Sequence, residues 1–127
     1  GVLVSPMVTG GVECILGVNR DPVFGPVVVF GLGGIFVEIM KDSVLRLAPF
    51  GHDEARAMIR SIKGFPLLDG ARGRSKMDQD AIADALVKLS VYAAAHADRI
   101  ESIDINPFIV LPKGAKAVDA LIVPRKA

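Results

Sequence analysis

Apolar positions in the first third of the chain stand two apart or in unbroken blocks, which is a strand pattern. Val2 to Val8 is a β-branched run ending at Thr9-Gly10-Gly11, a turn signal. Val12 to Val18 alternates in part and is the expected second strand of a hairpin. Asn19-Arg20-Asp21-Pro22 breaks it, and Phe24-Gly25 completes the loop. Pro26 to Phe30 reads as a buried strand interrupted by Gly31-Leu32-Gly33-Gly34. Ile35 to Met40 and Ser43 to Leu47 are further strand candidates, separated by Lys41-Asp42.

The period then lengthens. Asp53 is a good N-cap, Ala55, Met58, Ile59 and Ile62 follow at helical spacing, and Gly64 is a stop signal. Leu67 to Lys76 reads as a polar, Gly/Arg-rich connection. Asp78 or Asp80 caps a longer helix with an apolar stripe at Ile82, Leu86, Leu89 and Ala93. Strand spacing returns at Ile100 to Ile105, Phe108 to Leu111 and Ala115 to Val123, with a turn at Pro112-Lys113-Gly114. Strands, two helices, then strands predict an α+β domain: a largely antiparallel sheet packed by two helices.

At 127 residues the chain suits one domain with one core. Its 15 basic and 14 acidic residues give a net charge of +1, which offers no electrostatic case for nucleic acid or a membrane surface. Cys14 is the single cysteine, so no internal disulfide can form. That fits a reducing cytoplasm, and no Cys/His metal pattern is present. The apolar fraction of 51% and mean hydropathy of +0.46 are high for a soluble domain. Yet Pro26 to Met40, the longest strongly apolar stretch, carries Glu38 and falls short of the ~18–20 residues of a transmembrane helix. Gly1-Val2-Leu3-Val4 lacks the basic opening of a signal peptide and there is no initiator Met. The expectation is a segment of a longer protein, its surplus apolar surface covering a neighbour.

The two most strand-like runs of the last third carry residues that strands disfavour: Asp104, Asn106 and Asp119. Alternation places Ser102, Asp104 and Asn106 on one face and Ile103 and Ile105 on the other. A two- or four-residue loop centred on Lys113-Gly114 would pair position 108 with 119, making Asn106 and Asp119 diagonal neighbours on one face. A three-residue loop would turn Asp119 to the opposite face. A carboxylate and an amide carbonyl so placed make a hard oxygen site of the kind Mg²⁺ uses with waters and phosphates. The alternative is a solvated strand face.

Other motifs carry less. Gly31-Leu32-Gly33-Gly34 lacks the third glycine of a dinucleotide fingerprint, because Phe36 stands there and no helical stretch follows. It is a close backbone approach or a set of N–H groups facing phosphate. The stretch Gly70 to Lys76 is no P-loop, having no Gly-Lys-Ser/Thr. Glu13 and Glu38 sit in apolar strands and read as exposed strand positions; His52 and His96 lie near helix ends and read as surface residues. Cys14 reads as inert, and no nucleophile elbow, zincin helix or Cys/His pair exists.

Two stretches together, "GVLVSPMVTGGVECILGVNRDPVFGPVVVFGLGGIFVEIMKDSVLRLAP" and "ESIDINPFIVLPKGAKAVDALI", resemble an ATP-grasp domain. More narrowly they resemble the ADP-forming acyl-CoA synthetases, or acetate–CoA ligases, with succinyl-CoA synthetase β chains as more distant relatives. The strings "DPVFGPVVVFGLGG" and "DINPF" are the most specific. The resemblance covers nearly all of the chain but only the second half of an ATP-grasp module, so residues 1–127 are expected to be the C-terminal half of that domain in a larger protein. It implies Mg²⁺ ligands at Asn106 and Asp119, with Asp104 at the position of an acid preceding them, and an ATP/ADP site. "LVSPMV" is similar to the hinge that contacts adenine, which implies nucleotide-binding roles for Ser5, Pro6 and Met7; Glu13 matches an acid near the nucleotide. Succinyl-CoA synthetases carry Glu where Ser5 stands, so contact there would come from backbone. The phosphohistidine segment of such enzymes has no counterpart at His52 or His96.

The implied activity of the full-length parent is the reversible conversion of acyl-CoA, ADP and phosphate into acid, CoA and ATP through acyl-phosphate and phosphohistidine intermediates. Within this segment the implied role is nucleotide and Mg²⁺ binding, with no catalytic nucleophile. CoA and the acyl substrate would be handled by the rest of the parent, through CoA-binding domains or subunits. The competing expectations are a regulatory module fused to a protein acetyltransferase and a non-catalytic interaction domain. As an isolated piece, the segment is expected to be inactive, to bind nucleotide weakly, and to self-associate as a homo-oligomer through its uncovered surface.

Overall fold

The structure, a computed structural model, describes residues 11–33, 43–70 and 76–125. Its elements are β1 (Val12–Asp21), β2 (Gly25–Leu32), β3 (Ser43–Leu47), α1 (His52–Ser61), α2 (Phe65–Leu68), α3 (Gln79–Ala95), β4 (Ile100–Val110), β5 (Ala115–Ala117) and β6 (Ala120–Pro124). The strands form one sheet in the order β3-β2-β1-β4, with β5 and β6 side by side in sequence along the outer edge of β4. Every described pairing is antiparallel. The α+β architecture predicted from the pattern is therefore present.

The predicted strands at 2–8 and 35–40, and the first hairpin turn, lie outside the described residues. Among the described residues, β1 and β2 form a hairpin. Asn19 to Asp21 stay inside β1, because Asp21 builds the turn from the strand's end. Its Oδ1 accepts the Phe24 and Val23 N–H groups at 2.9 and 2.8 Å, and these two bonds hold its carboxyl below the usual carboxylate range. Gly25 follows at φ +85°, a conformation that favours glycine.

The helices cover one face of the sheet. α1 begins two residues earlier than the pattern predicts: Gly51, not Asp53, is its N-cap, and Asp53 and Glu54 occupy the first turn, where the helix dipole favours acids. Its stripe, Ala55, Met58 and Ile59, is buried as predicted. The stretch read as a polar connection from Leu67 begins inside a further helical turn, α2, which starts at Phe65-Pro66 and ends on the buried Leu68. α3 is capped by Asp78, whose side chain accepts the Ala81 N–H at 3.0 Å. Its predicted stripe of Ile82, Leu86, Leu89 and Ala93 is buried against β1, β2 and β4. Ser90 is the buried polar exception: its hydroxyl accepts the Phe50 N–H at 3.2 Å and donates to the Val87 carbonyl at 2.9 Å.

On the sheet side the core takes Cys14, Leu16 and Val18 from β1, Val28 and Phe30 from β2, and Ile103, Phe108 and Val110 from β4. Each large apolar side chain so buried contributes about 1.5–3 kcal/mol. Strand alternation then commits the intervening residues to the other face, which no described helix covers. Leu45 and Leu47 of β3 are 57% and 51% exposed there.

Candidate functional site

The face that no described helix covers has a readable layout, because cross-strand partners share a face. One row runs Leu45, Val29, Gly17, Asp104, Leu121 across five strands. The next runs Leu47, Val27, Asn19, Ser102, Val123. The floor is thus apolar at both flanks, flat at Gly17 and acidic beside it. A Cβ on Gly17 would stand 3.0 Å from the Ile103 carbonyl oxygen, so glycine lets β1 and β4 approach closely.

β4 is one strand of eleven residues, where the sequence pattern suggested two. Its core positions change parity, from Ile103 to Phe108 and Val110, and this parity change hides the continuity. The change happens at a β-bulge: the pairing jumps from Leu16↔Ile105 to Cys14↔Phe108, so Asn106 and Pro107 together oppose Ile15. Bulges re-aim side chains, and a bulge is where a sheet tolerates a proline without losing a ladder bond. The Asn106–Pro107 peptide is cis, and the Pro107 carbonyl accepts the Val118 N–H at 3.0 Å.

The hairpin register differs from the expected one by two residues. The loop is Pro112-Lys113, closed by the Leu111 N–H on the Gly114 carbonyl at 2.9 Å. Phe108 therefore pairs with Ala117, and not with Asp119. The same register continues past a short gap to Ile105↔Ala120. Asn106 and Asp119 are consequently directly opposite each other, not diagonal, and the Asn106 N–H donates to the Asp119 carbonyl at 3.2 Å.

Asp104, Asn106 and Asp119 are all exposed. Asp119 Oδ1 accepts the Ala120 N–H at 3.0 Å; its second oxygen, the Asn106 amide and the Asp104 carboxylate have no hydrogen-bond partner among the described residues. Oxygen donors held in place by backbone and left unneutralised fit a hard cation such as Mg²⁺. No three His, Cys, Asp or Glu side chains converge on one point among the described residues. Among the described residues the site offers two carboxylates and an amide, leaving room for water and phosphate oxygens, as Mg²⁺ sites do.

Glu13 is exposed, in a row with Ile109 and Lys116, and its carbonyl accepts the Gly33 N–H at 2.8 Å. It lies four residues along β1 from Gly17, the partner of Asp104, or roughly 13 Å at strand rise. The structure thus brings Asn106 and Asp119 together, Asp104 two residues along β4, and Glu13 onto the same face two residues along β1 from Ile15, which Asn106 and Pro107 oppose. Ser5, Pro6 and Met7 lie outside the described residues.

The remaining candidates behave as structural residues. Cys14 is buried, and burial, reinforced by the charge of Glu13, pushes its thiol up to about 12. His52 pairs with Asp84 at 3.2 Å on the surface, and His96 ends α3 with its ring 4.4 Å from that of Tyr92. Gly31 and Leu32 belong to β2, so the glycine cluster begins as ordinary sheet. Two clefts of about 380 and 390 Å³, one lined by Arg20, Asp21, Pro22, Glu101 and Arg125 and one by residues 76–80 with Pro112, contain none of the predicted site residues. Among the described residues, no helix is long and apolar enough to cross a membrane.

Comparison with known proteins places this geometry in context. A family model described as an ATP-grasp domain matches residues 1–123. The chain is 48% identical over 125 residues to the β subunit of acetate–CoA ligase (ADP-forming) II of Pyrococcus furiosus, covering 97% of this chain and 53% of that subunit. It is 45% identical over 119 residues to acetate–CoA ligase (ADP-forming) I of Archaeoglobus fulgidus, covering 94% of this chain and 17% of that protein. The chain therefore spans about half of one relative and a smaller part of the other. The fold superposes with a TM-score of 0.86 and 45% identity on a dinucleotide-forming acetyl-coenzyme A synthetase 1 of Ca. Korarchaeum cryptofilum. That match covers 95% of this chain and 55% of the other, which was solved with coenzyme A and Mg-AMPPCP.

Proposed function

This chain belongs to the ATP-grasp family, and we propose that it is the second half of an ATP-grasp domain in an ADP-forming acyl-CoA synthetase. The parent would convert acyl-CoA, ADP and phosphate reversibly into acid, CoA and ATP, in the cytoplasm. The observation that carries this reading is the Asn106–Asp119 pair, set directly opposite across the hairpin on a sheet face that no described helix covers.

The face that no described helix covers is the floor of the nucleotide cleft. The apolar flanks, Leu45 with Val29 and Leu47 with Val27, offer van der Waals surface, and Gly17 keeps the floor flat. Asn106 contributes an amide oxygen and Asp119 a carboxylate, with Asp104 supplying further negative charge nearby. Bound there, Mg²⁺ would neutralise phosphate oxygens during phosphoryl transfer. The bulge at Asn106-Pro107 and the ladder that continues from the turn hold the ligands in place before any ion arrives, which lowers the ordering cost of binding. Ser5, Pro6 and Met7 would contact adenine, and Glu13 would approach the nucleotide from β1. The first half of the domain would close the cleft, and CoA and acyl group would bind elsewhere in the parent or in a partner subunit.

The test is the Asn106→Ala/Asp119→Ala double variant in the full-length parent. Mg²⁺-dependent ATP formation should fall by at least about 100-fold, as expected when transition-state charge loses its stabilisation. The melting temperature should hardly change, since both side chains are exposed. Wild-type activity in the double variant would remove the metal assignment.

A further inference from the structure

The register that places Asp119 opposite Asn106 is weakly specified by the hairpin itself. β5 has three residues, and Lys116 and Ala117, followed by Val118 and Asp119, are all exposed. No buried side chain beyond the half-buried Ala115 ties this stretch to the core, so a slip of two residues would cost little burial. A two-residue slip gives the register that the sequence pattern alone suggests, with position 108 facing 119.

Besides Gly114, whose φ of +87° favours glycine at that turn position, a contact from outside the hairpin holds the observed register. Asp78, 36 residues before Gly114, holds both arms of the turn. Its backbone N–H donates to the Leu111 carbonyl at 2.8 Å, and its Oδ2 accepts the Gly114 N–H at 2.7 Å. Its other carboxylate oxygen, Oδ1, caps α3 at Ala81. Leu111 and Gly114 are the residues that close the two-residue loop, and Gly114 adopts φ +87°, so the clamp grips the closing pair. α3 is in turn anchored in the core by Ile82 and Leu86. One residue, through its backbone on one arm and its carboxylate on the other, thus links the position of a rigid helix to the phase of a loosely held edge strand.

We infer that Asp78 is a positioning residue for the Asn106–Asp119 pair, setting the hairpin register on which a divalent cation site depends. This rests on the metal-binding reading above, and the experiment separates the two. In the full-length parent with ADP bound, Mn²⁺ affinity is titrated by electron paramagnetic resonance for wild type, Asp78→Ser and Asp119→Ala. Hydrogen exchange is followed in the peptides containing Asn106 and Gly114. Serine keeps a good N-cap oxygen for α3 but cannot also reach the turn.

For Asp78→Ser, Mn²⁺ affinity should drop by about tenfold, the low end for residues that support metal ligands indirectly. Exchange should accelerate in both peptides. A lowered melting temperature with unchanged Mn²⁺ affinity would overturn the inference, leaving Asp78 as a helix cap alone. Unchanged affinity in Asp119→Ala would overturn the metal reading and the positioning role with it. Should Asp78→Ser fail to fold, Asp78→Asn, which keeps the shape but cannot satisfy both contacts as an acceptor, is judged by the same two outcomes.

Discussion

The two faces of the sheet are built from alternate residues of the same strands and follow opposite rules. On the helix-covered face Cys14, Leu16, Phe30 and Val110 have no solvent exposure, and their neighbours are the stripes of α1 and α3. On the other face β1 and β4 present Glu13, Gly17 and Asp104, and the flanking strands β3 and β6 present exposed leucines. The first face fixes the fold through close packing. The second, relieved of that task, carries acids and a glycine that a core would reject. Changes on the first should therefore appear in stability and changes on the second in ligand binding.

The largest effect should come from the covered face. Leu86→Ala removes a fully buried side chain from α3 and should lower stability by about 3 kcal/mol, the range of such cavities, measurable by urea titration of the parent. Any loss of activity should then follow the unfolded fraction. On the open face, Leu47→Asp replaces an exposed apolar side chain beside Val27 with a charge. It should raise the KM for nucleotide roughly tenfold, about 1.4 kcal/mol of binding, through lost apolar contact. A melting shift with unchanged KM would blur the contrast between the faces.

Cys14 gives a pH-dependent test of the covered face. Its thiol is raised from 9.0 to about 12, chiefly by burial. Below about pH 9 folded and unfolded chains both hold the proton, and the contribution to stability is complete. Between 9 and 12 only the unfolded chain releases it, so stability falls as pH rises. Cys14→Ala should flatten that alkaline slope in pH-dependent unfolding, and a thiol reagent should label wild type only after denaturation. The smallest effect belongs to the surface. Breaking Arg56–Asp80, an exposed pair at 2.8 Å, by Arg56→Ala should change stability by less than about 1 kcal/mol in the same urea titration.

The sequence pattern was most legible where burial enforces a period. β3 matches its predicted span of Ser43 to Leu47, and the α3 stripe and the Asp78 cap are where the spacing puts them. It was least legible where burial is weak or contacts are distant. β4 hides its continuity behind a bulge that shifts the core positions from odd to even numbers. The hairpin register was missed by two because Lys116, Ala117 and Val118 carry no burial signal, and the residue that decides it is remote in sequence. α2 was missed because a single turn is too short to show a period. The chemistry of Asn106 and Asp119 was visible as polar residues in strand positions; their direct opposition was not.

The most direct test of the open face as a nucleotide floor is calorimetric titration of the full-length parent with ADP, with and without Mg²⁺, in wild type and in Asn106→Ala/Asp119→Ala. The account predicts that Mg²⁺ tightens ADP binding in wild type and that the double substitution abolishes this gain while leaving the metal-free affinity nearly intact. A Mg²⁺-dependent gain of the same size in both proteins would contradict it.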